Sequence, residues 1–366
     1  NKVCPHTAEE EVFVFGNPPY LGSRMQSKSH KMDILYVIGE KGRSLDYISC
    51  WFTKVADYID RSFATAAFVS TNSICQGEQV AILWPHVLQK TEISFAYTSF
   101  KWTNNAKYQA AVICVIIGLQ SVKKNPTKRI YTDGKIIEVS VINPYLTSGN
   151  VSYVERISSP ISAGFAECRF GSMANDGGNL ILDKFQVDEL ISTYPILKKC
   201  IKKFVGSYEF INCRDRWCLY IEDDVLYKVK DIPPIVLRLN KIREIRSEST
   251  EKSTRKMAEF PHKFYFTSYK HSDVIIIPAT SSENREYIPI GFLDENTVVS
   301  NSAYAIYDAA FWTFGVLTAK MHMVWVRTVG GKLKTDYRYS SQLIYNTFPF
   351  PTISPQKKAE IEEAAE

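Results

Sequence analysis

The sequence predicts an α/β domain over residues 1–125, an α+β domain over 130–351, and the start of a C-terminal helical segment over 352–366. Three observations predict it. Strand-like and helix-like apolar patterns alternate from residue 11 to 122. The polar stretch 123–129, with Lys123, Lys124, Lys128 and Arg129, marks a boundary. Beyond 130, short strand-like runs are broken by Gly, Asn and Pro, and one long polar helix interrupts them.

In chain order, residues 11–15 form an apolar run that reads as a buried strand. A turn of Asn17, Pro18, Pro19 and Tyr20 ends it, and residues 23–31 read as a polar loop. Leu45, Ile48, Trp51, Phe52, Val55, Tyr58 and Ile59 recur at helical spacing and predict an amphipathic helix over 44–61. A strand over 63–70 and a short helix over 80–86 follow. Strands over 93–100 and 110–119, joined by a loop at 101–105, predict an antiparallel pair at the sheet's end. In the second domain, residues 235–263 hold eight Lys/Arg and four Glu. Val236, Leu239, Ile242 and Ile245 give the first half of that segment a helical stripe.

Composition narrows the function classes. No apolar stretch reaches the length of a membrane span, and the N-terminus lacks the apolar core of a signal peptide. The eight cysteines are scattered, with no CxxC pair, which favours reduced thiols in a cytosolic protein and predicts no metal site. A net charge of +5 permits a polyanionic partner without demanding one.

The Asn17–Tyr20 turn carries the chemistry. It stands at the C-terminal end of a strand, where open α/β sheets place their ligands. The Asn17 side-chain carbonyl and the Pro18 backbone carbonyl are two acceptors for an exocyclic amino group. Pro18 and Pro19 stiffen the turn, and Tyr20 offers a flat face for a planar ring. The bland alternative is a plain proline turn. Residues 69–73 end another strand on the same rim, where Asn72 lines a pocket or caps a loop.

Asn17-Pro18-Pro19-Tyr20 resembles the catalytic motif of the amino-methyltransferases, chiefly the DNA adenine-N6 enzymes. The second domain makes the resemblance more specific. Residues 170–180, 214–220, 321–327, 330–340 and 345–351 resemble, in consistent order, the MmeI-like restriction–modification enzymes. That family joins an endonuclease, an adenine-N6 methyltransferase and a target-recognition domain in one polypeptide. The resemblance covers nearly the whole chain. It implies the C-terminal half of a class I (Rossmann-like) methyltransferase sheet followed by an α+β target-recognition domain. It also implies S-adenosylmethionine as cofactor, double-stranded DNA as partner and a bacterial cytoplasmic setting. One departure stands out. No G-x-G pattern precedes Asn17, so the first half of the sheet and most of the cofactor pocket are expected outside this chain, and the chain is expected to be inactive alone. No nuclease region is visible. Without that first half, residues 12–15 are expected to form an exposed apolar edge prone to self-association.

Residue roles follow from the resemblance. Asn17, Pro18, Pro19 and Tyr20 would hold a flipped adenine, and Phe100 or Trp102 would cover its other face, ordinary core packing being the alternative for those two. Lys334 and Asp336, two apart, would face one way in an extended strand and read a G·C pair, a surface salt bridge on a strand being the alternative. Arg338 is a second base reader, and Asn301 and Ser302 match a further specificity position. Ala279 matches another but has no hydrogen-bonding side chain. Arg327, Lys332, Arg238 and Lys241 are expected at phosphates, as are Arg243 and Arg246, a solvated helix face being the alternative for the helix residues. Two other functions stay open: a protein-glutamine or rRNA amino-methyltransferase, and a non-catalytic DNA-specificity module.

Overall fold

The computed structural model describes residues 10–62, 64–102, 112–122, 127–162 and 165–365. Two compact units emerge, one of residues 1–157 with 325–337 and the other of 158–324 with 338–366.

The first unit is built on β1 (Phe13–Gly16), α1 (Lys28–Val37), α2 (Ser49–Ser62), β2 (Thr65–Thr71), α3 (Glu78–Leu88), β3 (Thr91–Trp102), β4 (Val112–Ser121), β5 (Lys128–Thr132) and β6 (Lys135–Val139). The strands make one mixed sheet in the order β1-β2-β4-β3-β5-β6. β1 runs parallel to β2, and β4 is antiparallel to both β2 and β3. Phe52, Val55 and Ile59 of α2 pack with Leu83 and Trp84 of α3 on Phe68, Ile93, Ala96 and Ile117 of the sheet. The buried Trp84 indole donates to the Ile74 carbonyl at 2.7 Å, so its polar atom is not stranded. Gly118 is required by packing: a Cβ there would lie 2.3 Å from the Phe95 ring.

Several expectations change here. The β3–β4 pair does not end the sheet; the β5–β6 hairpin continues it, past the expected boundary at 125. The loop expected at 23–31 gives way to α1, capped where the Ser27 hydroxyl accepts from the His30 N–H. α1 buries only Ile34, so it leaves no apolar period in the sequence. The helix expected from 44 starts at Ser49, because Glu40–Ser44 forms a separate 3-10 turn. β1 is less buried than its composition suggests. Phe13 and Phe15 are 61% and 82% exposed, while Val12 and Val14 pack on the core.

The second unit is α+β. One four-stranded sheet joins Thr297–Val299, Ile201–Val205, Trp217–Leu219 and Ile181–Leu182; another joins Gly291–Leu293, Val274–Pro278, Ala303–Tyr307 and Cys168–Phe170. The helix Pro233–Ser247 buries Ile235, Leu239, Ile242 and Arg246. The stripe therefore sits one residue off the predicted one at its first and last places, and its last member is an arginine. Arg246 is fully buried and donates to five carbonyls, those of Ala174, Asn175, Met257, Phe260 and Lys263, at 2.8–3.1 Å. The helix Pro355–Ala365 packs on Phe311–Thr318, with Ile361 against Gly315. The cysteines among the described residues are free thiols, and all but Cys213 are buried.

Candidate functional site

The first candidate site lies where β1 ends. Asn17 and Pro19 are exposed, Pro18 is buried and Tyr20 is half-buried. Among the described residues, neither the Asn17 amide nor the Pro18 carbonyl has an internal hydrogen-bond partner. Both remain open as acceptors. Tyr20 turns inward, its hydroxyl beside the Cys114 thiol; burial and that neighbour raise the phenol above its ordinary range. Burial also pushes the Cys114 thiol up.

Cys114 ties three strands to this turn. In the ladders it stands opposite Thr71 of β2 and opposite Phe100 of β3. Phe100 and Asn72 therefore come to the same rim as Tyr20. Phe100 is half-buried, and Trp102, 37% exposed, has its ring 6.4 Å from that of Phe100. Asn72 is buried and donates weakly to the Ser99 hydroxyl at 3.5 Å, which gives it a local structural contact.

The turn is braced from behind by residues that sequence reasoning missed. The Asp46 carboxylate, 5% exposed, accepts from the Leu21 N–H at 2.8 Å and the Ile48 N–H at 3.3 Å. Burial raises its pKa, while those N–H groups and Thr71 pull it back. Gln26 donates to the Leu21 and Leu45 carbonyls at 2.8 and 3.0 Å, and the Tyr47 N–H donates to the Leu21 carbonyl. An Asp just ahead of an amphipathic helix is a cap signal, and it was the available clue.

The recognition candidates divide between two places. Lys334 does not lie in a strand with Asp336. It is the first residue of the Lys334–Thr335 turn joining Gly331–Leu333 to Asp336–Arg338, with φ +58°. A hairpin turn breaks the two-residue alternation, so the expected same-face pairing is lost. Arg327 donates to the Tyr337 hydroxyl at 3.3 Å, and the Lys332 ammonium lies 5.7 Å from the Tyr337 ring centre.

In the second unit, Ala279, Asn301, Ser302 and Arg338 converge. The Ala279 N–H donates to the Ser302 carbonyl at 3.1 Å, and the Ala279 carbonyl accepts from Tyr339, the residue after Arg338, at 3.0 Å. Asn301 and Arg338 are exposed. The Ser302 hydroxyl is engaged internally, accepting from the Ser207 N–H at 3.0 Å. Tyr339 is buried, and its hydroxyl lies 2.9 Å from His322 Nε2. Burial lowers the His322 pKa to about 4, so it is neutral at physiological pH.

Two phosphate candidates are committed elsewhere. Arg238 is half-buried and donates to the Asn179 carbonyl at 2.8 Å; burial lowers its pKa against the pull of Asp176 and Asp183. Arg246 is sealed in the interior, because its stripe position faces the core. Lys241 and Arg243 are exposed.

Comparison with known proteins agrees with both halves. The family description "MmeI, DNA-methyltransferase domain" matches residues 1–132, and "MmeI, target recognition domain" matches 148–352. A Bacillus subtilis (strain 168) protein named DNA methyltransferase A is 47% identical over 99% of this chain and 42% of its own length. The solved structure of the type IIL restriction–modification enzyme MmeI in complex with DNA superposes with a TM-score of 0.87 at 40% identity, over 98% of this chain and 49% of that one. The chain thus spans about half the length of the relatives it matches. No helix among the described residues is long and apolar enough to cross a membrane. By both its methyltransferase and its target-recognition segments, this chain belongs to the MmeI family.

Proposed function

We propose that this chain supplies the acceptor side and the target-recognition domain of a sequence-specific adenine-N6 DNA methyltransferase, part of a restriction–modification enzyme of the bacterial cytoplasm. The observation that carries this is the pair of unengaged acceptors, Asn17 and the Pro18 carbonyl, on a turn braced by Asp46 and Gln26. The Pro18 carbonyl can only accept and the Asn17 amide can turn its oxygen the same way, so the pair fits an exocyclic amino group.

An adenine in a duplex hides its N6, so the base is flipped out at a cost of a few kcal/mol. Asn17 Oδ1 and the Pro18 carbonyl then accept the two N6 hydrogens and aim the nitrogen lone pair. No strong base is needed, because neutral N6 has no easily lost proton; one proton leaves only after the nitrogen has been methylated. The Tyr20 ring stacks on one face, with Phe100 or Trp102 on the other. S-adenosylmethionine, when bound, supplies an electrophilic methyl group. The residues at this turn fit the methyl acceptor, and the relatives the chain matches are about twice its length, so the donor's cradle is proposed to lie in the rest of the protein. On this basis the chain alone turns over weakly or not at all.

Asn301, Arg338, Lys334 and Asp336 are the base-reading candidates: Arg and Lys suit guanine O6 and N7, and Asp suits cytosine N4. Lys241, Arg327 and Lys332 suit phosphates. The exposed Phe13 and Phe15 on β1 support self-association of the isolated chain. Light scattering checks this; a monodisperse monomer counts against it.

The test of function is single-molecule sequencing of DNA from cells expressing the protein at its full natural length, beside an Asn17→Ala control. N6-methyladenine in one short motif, absent from the control, is the expected result. Unmodified adenine in both samples would overturn the proposal.

A further inference from the structure

We propose that Ser207 is a positioning residue for target recognition: its hydroxyl clasps the two loops that carry Ala279 and Asn301–Ser302. The inference rests on the recognition role proposed above and extends it to a residue that contacts no base itself.

The strands Val274–Pro278 and Ala303–Tyr307 pair antiparallel, and Pro278 opposite Ala303 is the final ladder pair at this end. Ala279 and Ser302 come immediately after it. Beyond it the two chains run on to the exposed Asn301 and the half-buried Ala279, still joined by the backbone bond from the Ala279 N–H to the Ser302 carbonyl. Ser207 adds a side-chain tie at that place. Its hydrogen bonds have only one consistent assignment. The Ala279 N–H must donate, and it reaches Ser207 Oγ at 3.2 Å as well as the Ser302 carbonyl at 3.1 Å. The Ser302 carbonyl must accept, so the Ser207 hydroxyl proton points to it. The Ser207 N–H donates to Ser302 Oγ at 3.0 Å, and Ser302 Oγ lies 3.1 Å from Ser300 Oγ. One serine thus bonds both loops at once.

The approach is so close that a side chain next door would push the two serine hydroxyls out of place. A Cβ on Gly206 would lie 2.2 Å from Ser302 Oγ and 2.3 Å from Ser300 Oγ. Gly206 is itself pinned: its N–H donates to Glu209 Oε2 at 2.9 Å, and that carboxylate pairs with Arg216 at 3.0 Å. The clasp therefore stands on a fixed base, and it spends the Ser302 hydroxyl on positioning. This assigns base reading at that loop to Asn301.

The experiment measures methyl transfer by the full-length protein to its own target duplex in competition with duplexes altered at one base. Ser207→Ala is expected to lower the selection ratio about tenfold at one target position, within the usual range for one mismatched base pair. It raises KM for DNA more than it lowers kcat, and Ser207→Thr, which keeps the hydroxyl, restores the ratio. A Ser207→Ala protein that loses only thermal stability and keeps its selection ratio overturns the proposal. A wild-type protein with no preference among the duplexes would instead overturn the recognition role beneath it.

Discussion

The two candidate sites of this chain are prepared in opposite ways. At the end of β1, Asn17 and the Pro18 carbonyl have no internal partner among the described residues, and the bracing falls on Leu21 behind them. In the second unit, Ser302, Ala279 and Tyr339 are hydrogen-bonded to one another or to neighbours before any DNA arrives. An acceptor for a mobile base has to stay open, whereas a surface that discriminates between bases has to resist bending toward the wrong one. On the proposed roles, the difference predicts where damage goes: lesions at the first site are expected to reach chemistry, and lesions in the second stability and choice.

The largest expected effect tests the second half of that contrast. Arg246→Ala leaves five buried carbonyls without their donor and is expected to cost about 4 kcal/mol in the second unit, seen as a lowered melting temperature. A loss below 1 kcal/mol would show that water or neighbours satisfy those carbonyls. Next comes pH. Burial holds the His322 pKa at about 4 against an ordinary 6.5, so the unfolded chain takes up the proton first. Its contribution is intact above pH 6.5 and falls as pH drops toward 4, by about 3 kcal/mol in all. His322→Gln is expected to flatten that acid limb in melting curves recorded between pH 7 and 4.

Asn17→Ala sharpens the other side. Turnover of the full-length protein is expected to fall about 100-fold from lost alignment of the amino group, with melting unchanged, because Asn17 is exposed and has no hydrogen-bond partner among the described residues. A parallel fall in stability would erase the contrast between the sites. The smallest effect belongs to Lys334. Its left-handed backbone costs a non-glycine residue, so Lys334→Gly should stabilise the hairpin by about 1 kcal/mol while weakening base discrimination. Differential scanning calorimetry and the duplex competition would read the two changes separately.

The parts of the fold written in periodicity were legible. α2 and α3, the β3–β4 pair and the α+β texture after residue 130 follow from apolar spacing and breakers. α1 was not, because it buries one residue and is started by a Ser27–His30 cap. The β5–β6 hairpin was hidden by exposure: residues Lys135–Ile137 are all exposed, and Lys128–Arg129 look like a linker. At the candidate site, Asn17–Tyr20 could be seen because strand, turn and acceptors are contiguous. Asp46 and Ser207 could not, since their partners lie 25 and 95 residues away. The strand placement of Lys334 was misread for a local reason: nothing in Leu333-Lys334-Thr335-Asp336 carries the glycine or asparagine that usually marks a two-residue turn.

Arg246 also decides how this chain may be divided. Its acceptors at Ala174 and Asn175 come some 70 residues before it, and those at Met257, Phe260 and Lys263 come after it. A piece that starts beyond 175 strands the cation without two of them, and one that stops before 257 removes the other three. Any transplant of the recognition surface into another protein must therefore carry residues 174–175 and 257–263 together with Arg246.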